Sequence, residues 1–522
     1  MSKRYLIAVT LILLASCSPE DPTGSDLNLT FARRAIDGPC PEVADDSPEP
    51  PSLDSLEITL YRPDGKQHCK KSLDLSGDDA PVISGIPTGR DLTLKVTGFT
   101  GGEPAWTGSA EQVSIRSGKD TTASVFMTAV NDMSCTHSPL QHPRAFIAPA
   151  RLPNGRVLLS GGADQLLTDA CGAGCHELTA SRSVDIFDPG SGLIYPAVKL
   201  NTARMLATAT ELPDGSILVV GGARRVRLDP AADLPLVVAA EDVVDTFEVY
   251  LPEDHLWIEK PLPEGRVFHT ATHIGDGQVL VAGGGTDFTN ALESAVIFDP
   301  AGESVGEFTR VTSIMSAPRL GHAAVHLGGG RVLLIGGATL TTKPALEEYD
   351  HSREVFESRA FIGDAPNLFF AAAAVIPLRP DEVLLCGGSY FDGSTALNAP
   401  MKENVVLLSH ITAGDVETEM GPSLTGPHLM PAMVELGAGD LLVAGGFGDL
   451  SLTPAQAIEL FNPSDGTFSI PVAGGTETAL STPRGGHGAI AVGGGRAICA
   501  GGLGTGGLLG SAEIFTPGEV QP

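Results

Sequence analysis

The chain has 522 residues, with 63 acidic against 33 basic side chains and a formal charge of −30. Such a surface repels phosphate backbones and offers no polybasic face to lipid, which excludes nucleic acid as a partner. Charged residues are only 18% of the total and glycine fills 63 positions, so the chain is no disordered acidic tail and has the turn-rich composition of an all-β fold.

At the front, Lys3 and Arg4 precede an uncharged run from Tyr5 to Leu14. That run falls short of the roughly 20 residues a spanning helix needs, and a short run behind a basic leader reads as a secretory signal. Leu14-Ala15-Ser16-Cys17 resembles the bacterial lipobox. The resemblance implies that Cys17 receives diacylglycerol, that the chain is cut before it, and that the new amine is acylated. The membrane is then a partner through N-terminal acyl chains, each buried methylene being worth about 0.8 kcal/mol. Ser18 after the cysteine is compatible with sorting to the outer membrane, so the expected location is the cell envelope. Residues 1–17 form the signal and 18–25 a polar tether.

Residues 26–130 alternate apolar and polar side chains in Leu27–Phe31, Leu56–Tyr61, Leu92–Val96 and Ala123–Met127, a period of two that predicts strands. Gly85-Ile86-Pro87-Thr88-Gly89 resembles the turn of prealbumin-like sandwiches, implying a small prealbumin- or Ig-like β-sandwich. Eight cysteines include Cys17, leaving an odd seven for an oxidising compartment. Cys40 and Cys69 could bridge within this domain, with the pairing of Cys135 left open. Cys171 and Cys175 are close enough to close a small disulfide loop. Cys386 and Cys499 lie in apolar runs and read as small buried hydrophobes.

From residue 131 onward the chain repeats. Seven glycine pairs each end an apolar strand: Gly161-Gly162, Gly221-Gly222, Gly283-Gly284, Gly336-Gly337, Gly387-Gly388, Gly445-Gly446 and Gly501-Gly502, spaced by 51 to 62 residues. Upstream of each comes a strand with an Arg-x-x-His-like start, whole at Arg266/His269, Arg319/His322 and Arg484/His487. Arg144 and Arg204 keep the arginine alone, and the fifth and sixth copies read Asn367/Phe370 and His428/Pro431. Downstream comes a third strand ending in an aromatic–Asp–Pro turn, as in Ile186-Phe187-Asp188-Pro189. The pattern resembles the Kelch repeat of galactose-oxidase-like propellers over roughly three quarters of the chain, and implies a seven-bladed β-propeller spanning 131–522. Glycine pairs permit backbone conformations and close approaches denied to other residues, and the Asp-Pro turn stops a strand. The last copy ends too soon to hold its outer strand, so residues 131–140 are expected to close the seventh blade.

In such a fold the loops after each glycine pair share one face with the loops entering the inner strands. The long ones carry Arg224, Arg225, Arg227, Asp287 and Tyr390, the candidate binding face for a protein or glycan partner. The arginines could hold a carboxylate; the competing reading is a solvated loop paired with nearby acids. His269, His322 and His487 on separate copies make a poor metal set. Cys171 to His176 has one residue too many for haem attachment. Copper radical enzymes of the galactose-oxidase type need paired histidine and tyrosine ligands with a Tyr–Cys crosslink, and none of Tyr195, Tyr250, Tyr349 and Tyr390 falls in such a motif. The expectation is therefore no catalytic residue, no metal, no cofactor and no enzyme: a monomeric, lipid-anchored binding platform. The alternative is a secreted carbohydrate-active or copper-radical-oxidase-like enzyme that uses the loop face.

Overall fold

The computed structural model describes residues 27–33, 40, 53–75, 86–116, 121–172, 174–229, 236–287, 290–302, 304–337, 346–363, 368–390, 398–411, 414–437 and 439–518. The lipobox cysteine Cys17, with the signal and tether, lies outside the described residues.

Among them the repeat forms seven sheets. The first consists of Ala148–Arg151, Val157–Ser160, Val184–Asp188 and Leu193–Pro196, antiparallel throughout. The inner strands of the other six are Thr208–Glu211, Thr270–Gly275, Ala323–Gly328, Ala372–Ile376, Ala432–Glu435 and Gly488–Val492. Each neighbours the next, and the seventh neighbours the first, so the sheets close into a ring. The fourth strand of the seventh sheet is Asp132–Cys135, where Met133 pairs with Phe515 and Ser134 with Ile514. Cross-strand aromatic pairs seal the rim: Tyr250 with Trp257, Phe298 with Phe308, Tyr349 with Phe356 and Phe461 with Phe468. Such pairs hold third and outer strands in register.

One recurring bond explains the closure. The second glycine of each pair donates its N–H to a main-chain carbonyl at the entry to the next inner strand: Gly162 to Arg204, Gly222 to Arg266, Gly284 to Arg319, Gly337 to Leu368, Gly388 to His428, Gly446 to Arg484, and Gly502 back to Arg144. The first glycine must be glycine for the same reason. At Gly283, with φ +59°, an added Cβ would stand 2.5 Å from the Arg319 carbonyl oxygen. This register corrects the fifth copy: Leu368 and Ala371, not Asn367 and Phe370, occupy the positions of Arg and His.

The entry arginines are wholly buried and lock each blade on itself. Arg204 donates to the carbonyls of Gly221 and Thr246 and pairs with Glu248 at 2.8 Å; Arg319 reaches Gly336 and pairs with Glu347 at 2.7 Å. Arg144–Asp185 and Arg484–Glu513 repeat the pattern, and His428–Glu459 replaces guanidinium by imidazole. The carboxylates also accept main-chain N–H groups from the preceding inter-blade loop, as Glu248 does from Asn201 and Thr202. Buried charges survive when paired and fully hydrogen-bonded in this way. The third blade lacks the acid. Among the described residues its one acidic partner is Glu264 at 3.5 Å from Arg266, and burial pushes that guanidinium down to about 10. The fifth blade has dropped both partners: Leu368 and Val406 share one apolar cluster.

The N-terminal domain is one hydrogen-bonded series of six strands rather than two separate sheets. Thr121–Ala129 pairs in parallel with Leu27–Arg33 along most of its length, and with Glu103–Ile115 only at Thr128 and Ala129. The series therefore folds over at this strand, and Val125 and Met127 pack against Ile58, Leu94 and Val96. The domain docks on the first and seventh blades at the end away from the glycine pairs. Arg496, fully buried, donates to the Phe126 carbonyl and the Ser109 hydroxyl, and Glu111 pairs with Arg151. Cys40 is bonded to Cys135 rather than Cys69, which ties the connection between the first two strands of the domain to the strand that closes the ring.

Candidate functional site at the axial mouth

Two residues after each entry position, the chain turns sharply toward the axis. Phe146, Leu206, Phe268, Phe370 and Met430 take left-handed conformations, φ +54° to +58°, alongside Gly321 and Gly486 at +62° and +59°. Bulky residues with positive φ cost of order 1–3 kcal/mol each and gather at functional sites. At five of the seven steps their peptides are linked around the axis, the N–H donating to the carbonyl of the preceding copy: Phe146 to Gly486, Leu206 to Phe146, Gly321 to Phe268, Phe370 to Gly321 and Met430 to Phe370. The two glycines are required because aromatic rings lie over them. A Cβ on Gly486 would stand 2.5 Å from the Phe146 ring, and one on Gly321 2.5 Å from that of Phe369.

This collar bounds a cavity of about 310 Å³ on the axis, lined also by His269, His322 and His487. His269 Nε2 lies 3.0 Å from the Thr208 hydroxyl of the preceding blade, and His322 Nε2 lies 2.9 Å from that of Thr270. His487 has no such hydroxyl partner, and both its ring nitrogens are shielded from solvent. Burial holds all three rings neutral, pushing His269 and His487 down to about 3 and His322 well below its usual range, with the adjacent entry arginine adding to the effect. A neutral, apolar-rimmed cavity with a few fixed polar groups suits a small ligand that has both a hydrocarbon face and hydroxyls.

The residues expected to bind sit around this mouth rather than in it. The long loops of the first two blades build a sheet of their own, Ala163–Leu167, His176–Ala180, Arg225–Leu228 and Leu236–Val237. The Cys171–Cys175 disulfide lies in the connection between its first two strands. Arg225 pairs with Asp242 at 2.9 Å, Arg227 approaches Asp229 at 3.9 Å, and Arg224 donates to the Val243 carbonyl. Asp287 ends the short strand Gly285–Asp287 and Tyr390 the strand Ser389–Tyr390. The collar residues carry no shared side-chain signal in the sequence, although they stand two positions after the entry residue in every copy and one before His269, His322 and His487. A second, polar cavity of about 610 Å³ lies between the small domain and the first blade, lined by Glu111, Asn154, Arg156 and Asp188 among others.

No protein-family model matches the chain. In sequence it is 30% identical over 154 residues to galactose oxidase of Gibberella zeae, a stretch covering 28% of this chain and 20% of that enzyme. The chain thus spans about a fifth of the length of the curated relative it matches. In structure it superimposes on a fungal alcohol oxidase of the AA5 family, solved in complex with copper, with a TM-score of 0.53 and 16% identity, covering 72% of this chain and 75% of that one. YjhT aligns with a TM-score of 0.45 and 14% identity over 63% and 98%. The fold is a galactose-oxidase-like propeller.

These findings correct the expectation that the chain is no enzyme, because the relative it resembles in sequence is an oxidase. They also raise the question of copper. Among the described residues no three His, Cys, Asp or Glu side chains converge as a metal set. His269 and His322 have Nε2 engaged by threonines, while Tyr250 and Tyr349 pack against Trp257 and Phe356 at the rim. Cys386 and Cys499 are buried thiols, the latter pushed up to about 12. The described residues do not fit a copper-radical centre.

Proposed function

We propose that the chain is a carbohydrate-active, oxidase-like enzyme whose substrate, a sugar or primary alcohol, enters at the axial mouth. The observation that carries the reading is the sequence likeness to galactose oxidase on a chain whose axial cavity is rimmed by aromatic side chains. Phe268 and Phe370, their ring centres 5.2 Å apart, would stack on the carbon face of a pyranose or on an alcohol's hydrocarbon part. The surrounding loop sheet would form a wall beside the mouth. Anchoring through Cys17 belongs to the same proposal and would hold the mouth at the cell envelope; metabolic labelling with a fatty-acid analogue should mark the wild type and not Cys17→Ser.

The test is turnover and binding measured together. Purified protein, with and without added copper, is offered methyl galactoside, galactose-terminated oligosaccharides and benzyl alcohol, with peroxide release and calorimetric binding as readouts. The expected outcome is binding that weakens at least tenfold in Phe370→Ala, with turnover of at least one probe. Absence of both turnover and binding would end the reading.

A further inference from the structure

In the small domain Glu103–Ile115 pairs with Gly89–Thr100, but at one place Glu111 and Gln112 together stand opposite Thr93 alone. Such a bulge breaks the alternation of side chains and re-aims them. Here both side chains reach the first blade: Glu111 pairs with Arg151 at 2.7 Å, and the Gln112 amide donates to the Pro153 carbonyl at 3.1 Å. Gln112 takes φ +56° at the bulge, a conformation that is costly for a glutamine and that gathers at functional sites. Thr121–Ala129 meets Glu103–Ile115 at Thr128 and Thr107 and at Ala129 and Trp106, and is unpaired with it beyond. Thr122 and Ser124 are therefore left exposed. These residues, with the first-blade turns 154–156 and 188–191, enclose the polar cavity of about 610 Å³, a size in the range of small-molecule sites.

The charges in this cleft are already matched, Glu111 by Arg151 and Asp188 by Arg156 at 3.1 Å. An ionic ligand would have to take a partner from one of these pairs, leaving the other charge unmatched. Among the described residues the polar groups left without a hydrogen bond are the Thr122 and Ser124 hydroxyls, one amide atom each of Gln112 and Asn154, and the second oxygen of Glu111. That set holds donors and acceptors together, which is what a cluster of hydroxyls requires. No aromatic side chain is among the lining residues, in contrast to the axial mouth, so recognition falls to hydrogen bonds alone. We propose that this interdomain cleft is a second binding site, which takes a neutral saccharide through Glu111, Gln112, Thr122 and Ser124 of the small domain and Asn154 of the first blade. The site is independent of the axial mouth and suits a ligand hydroxylated on every side, where the mouth suits one with a hydrocarbon face.

The test is calorimetry on the whole protein with maltotriose, cellotriose and mannotriose as neutral probes and trigalacturonate as an anionic one. At least one neutral probe should bind. Ser124→Trp and Thr122→Trp, which fill the cleft from exposed positions, should abolish that binding with melting temperatures close to wild type. Gln112→Gly keeps the backbone of the bulge and removes the amide, and should weaken binding about fivefold. Phe370→Ala should leave trisaccharide binding unchanged, and Ser124→Trp should leave benzyl alcohol binding unchanged, so the cleft and the mouth stand or fall separately. The cleft is overturned as a saccharide site if no neutral probe binds, if trigalacturonate binds more tightly than every neutral probe, or if neutral binding survives both tryptophan variants.

Discussion

The fourth and fifth blades solve one packing problem in opposite ways. In the fourth, Arg319 and Glu347 meet at 2.7 Å with almost no exposure to water, tied to the Gly336 carbonyl and the Ser316 N–H. In the fifth, Leu368 and Val406 fill the matching positions within one apolar cluster. Both blades still deliver the main-chain carbonyl that receives the inter-blade glycine N–H. The ring therefore depends on that backbone bond, and the side-chain lock is one of two ways to fill the space beneath it. A buried ion pair need not out-stabilise an apolar pair of similar volume, but half of one is costly.

That contrast can be broken from either side. The largest effect should follow Glu248→Ala, which strands the Arg204 guanidinium and two loop N–H groups; a loss of about 3–5 kcal/mol is expected by urea denaturation. Gly283→Ala attacks the backbone bond instead, forcing a Cβ against the Arg319 carbonyl, and should cost about 1–3 kcal/mol. The smallest change should come from importing the fifth blade's solution into the fourth. Arg319→Leu with Glu347→Val together should stay within about 1.5 kcal/mol of wild type, while either substitution alone costs at least twice as much. Equal losses in the single and double variants would contradict the comparison.

Acid sharpens a second contrast, between blades with axial imidazoles and those without. His269 and His487 are held near 3 in the folded chain, against 6.5 unfolded. Between those values the unfolded ring takes up a proton that the folded ring refuses, so stability falls as pH drops from about 6.5 toward 3. His487→Leu should flatten the dependence of stability on pH in this window, and an unchanged slope would mean that the ring titrates normally in the fold.

The galactose-oxidase-like architecture was legible because its signals are local and repeated. A glycine pair after an apolar strand, and an Asp-Pro turn, each impose a backbone geometry that the chain must adopt wherever they occur. The fifth copy was misaligned because Leu368 carries neither the charge nor the imidazole by which the position is recognised, although its carbonyl does the same work. The collar was invisible for a related reason. Phe146, Leu206 and Met430 share a backbone conformation and a place around the axis, not a side-chain type. Cys40 could not be assigned to Cys135 because the two become neighbours only once the small domain sits against the closed ring. The arginines of the long loop were legible as a cluster, yet Arg225 and Arg227 each face an acid of the same region.

The most direct measurement is a crystal structure of the protein soaked with benzyl alcohol. The account predicts the ring of the ligand between Phe146, Phe268 and Phe370. Ligand found only in the polar cleft between the small domain and the first blade, with the axial cavity empty, would contradict it.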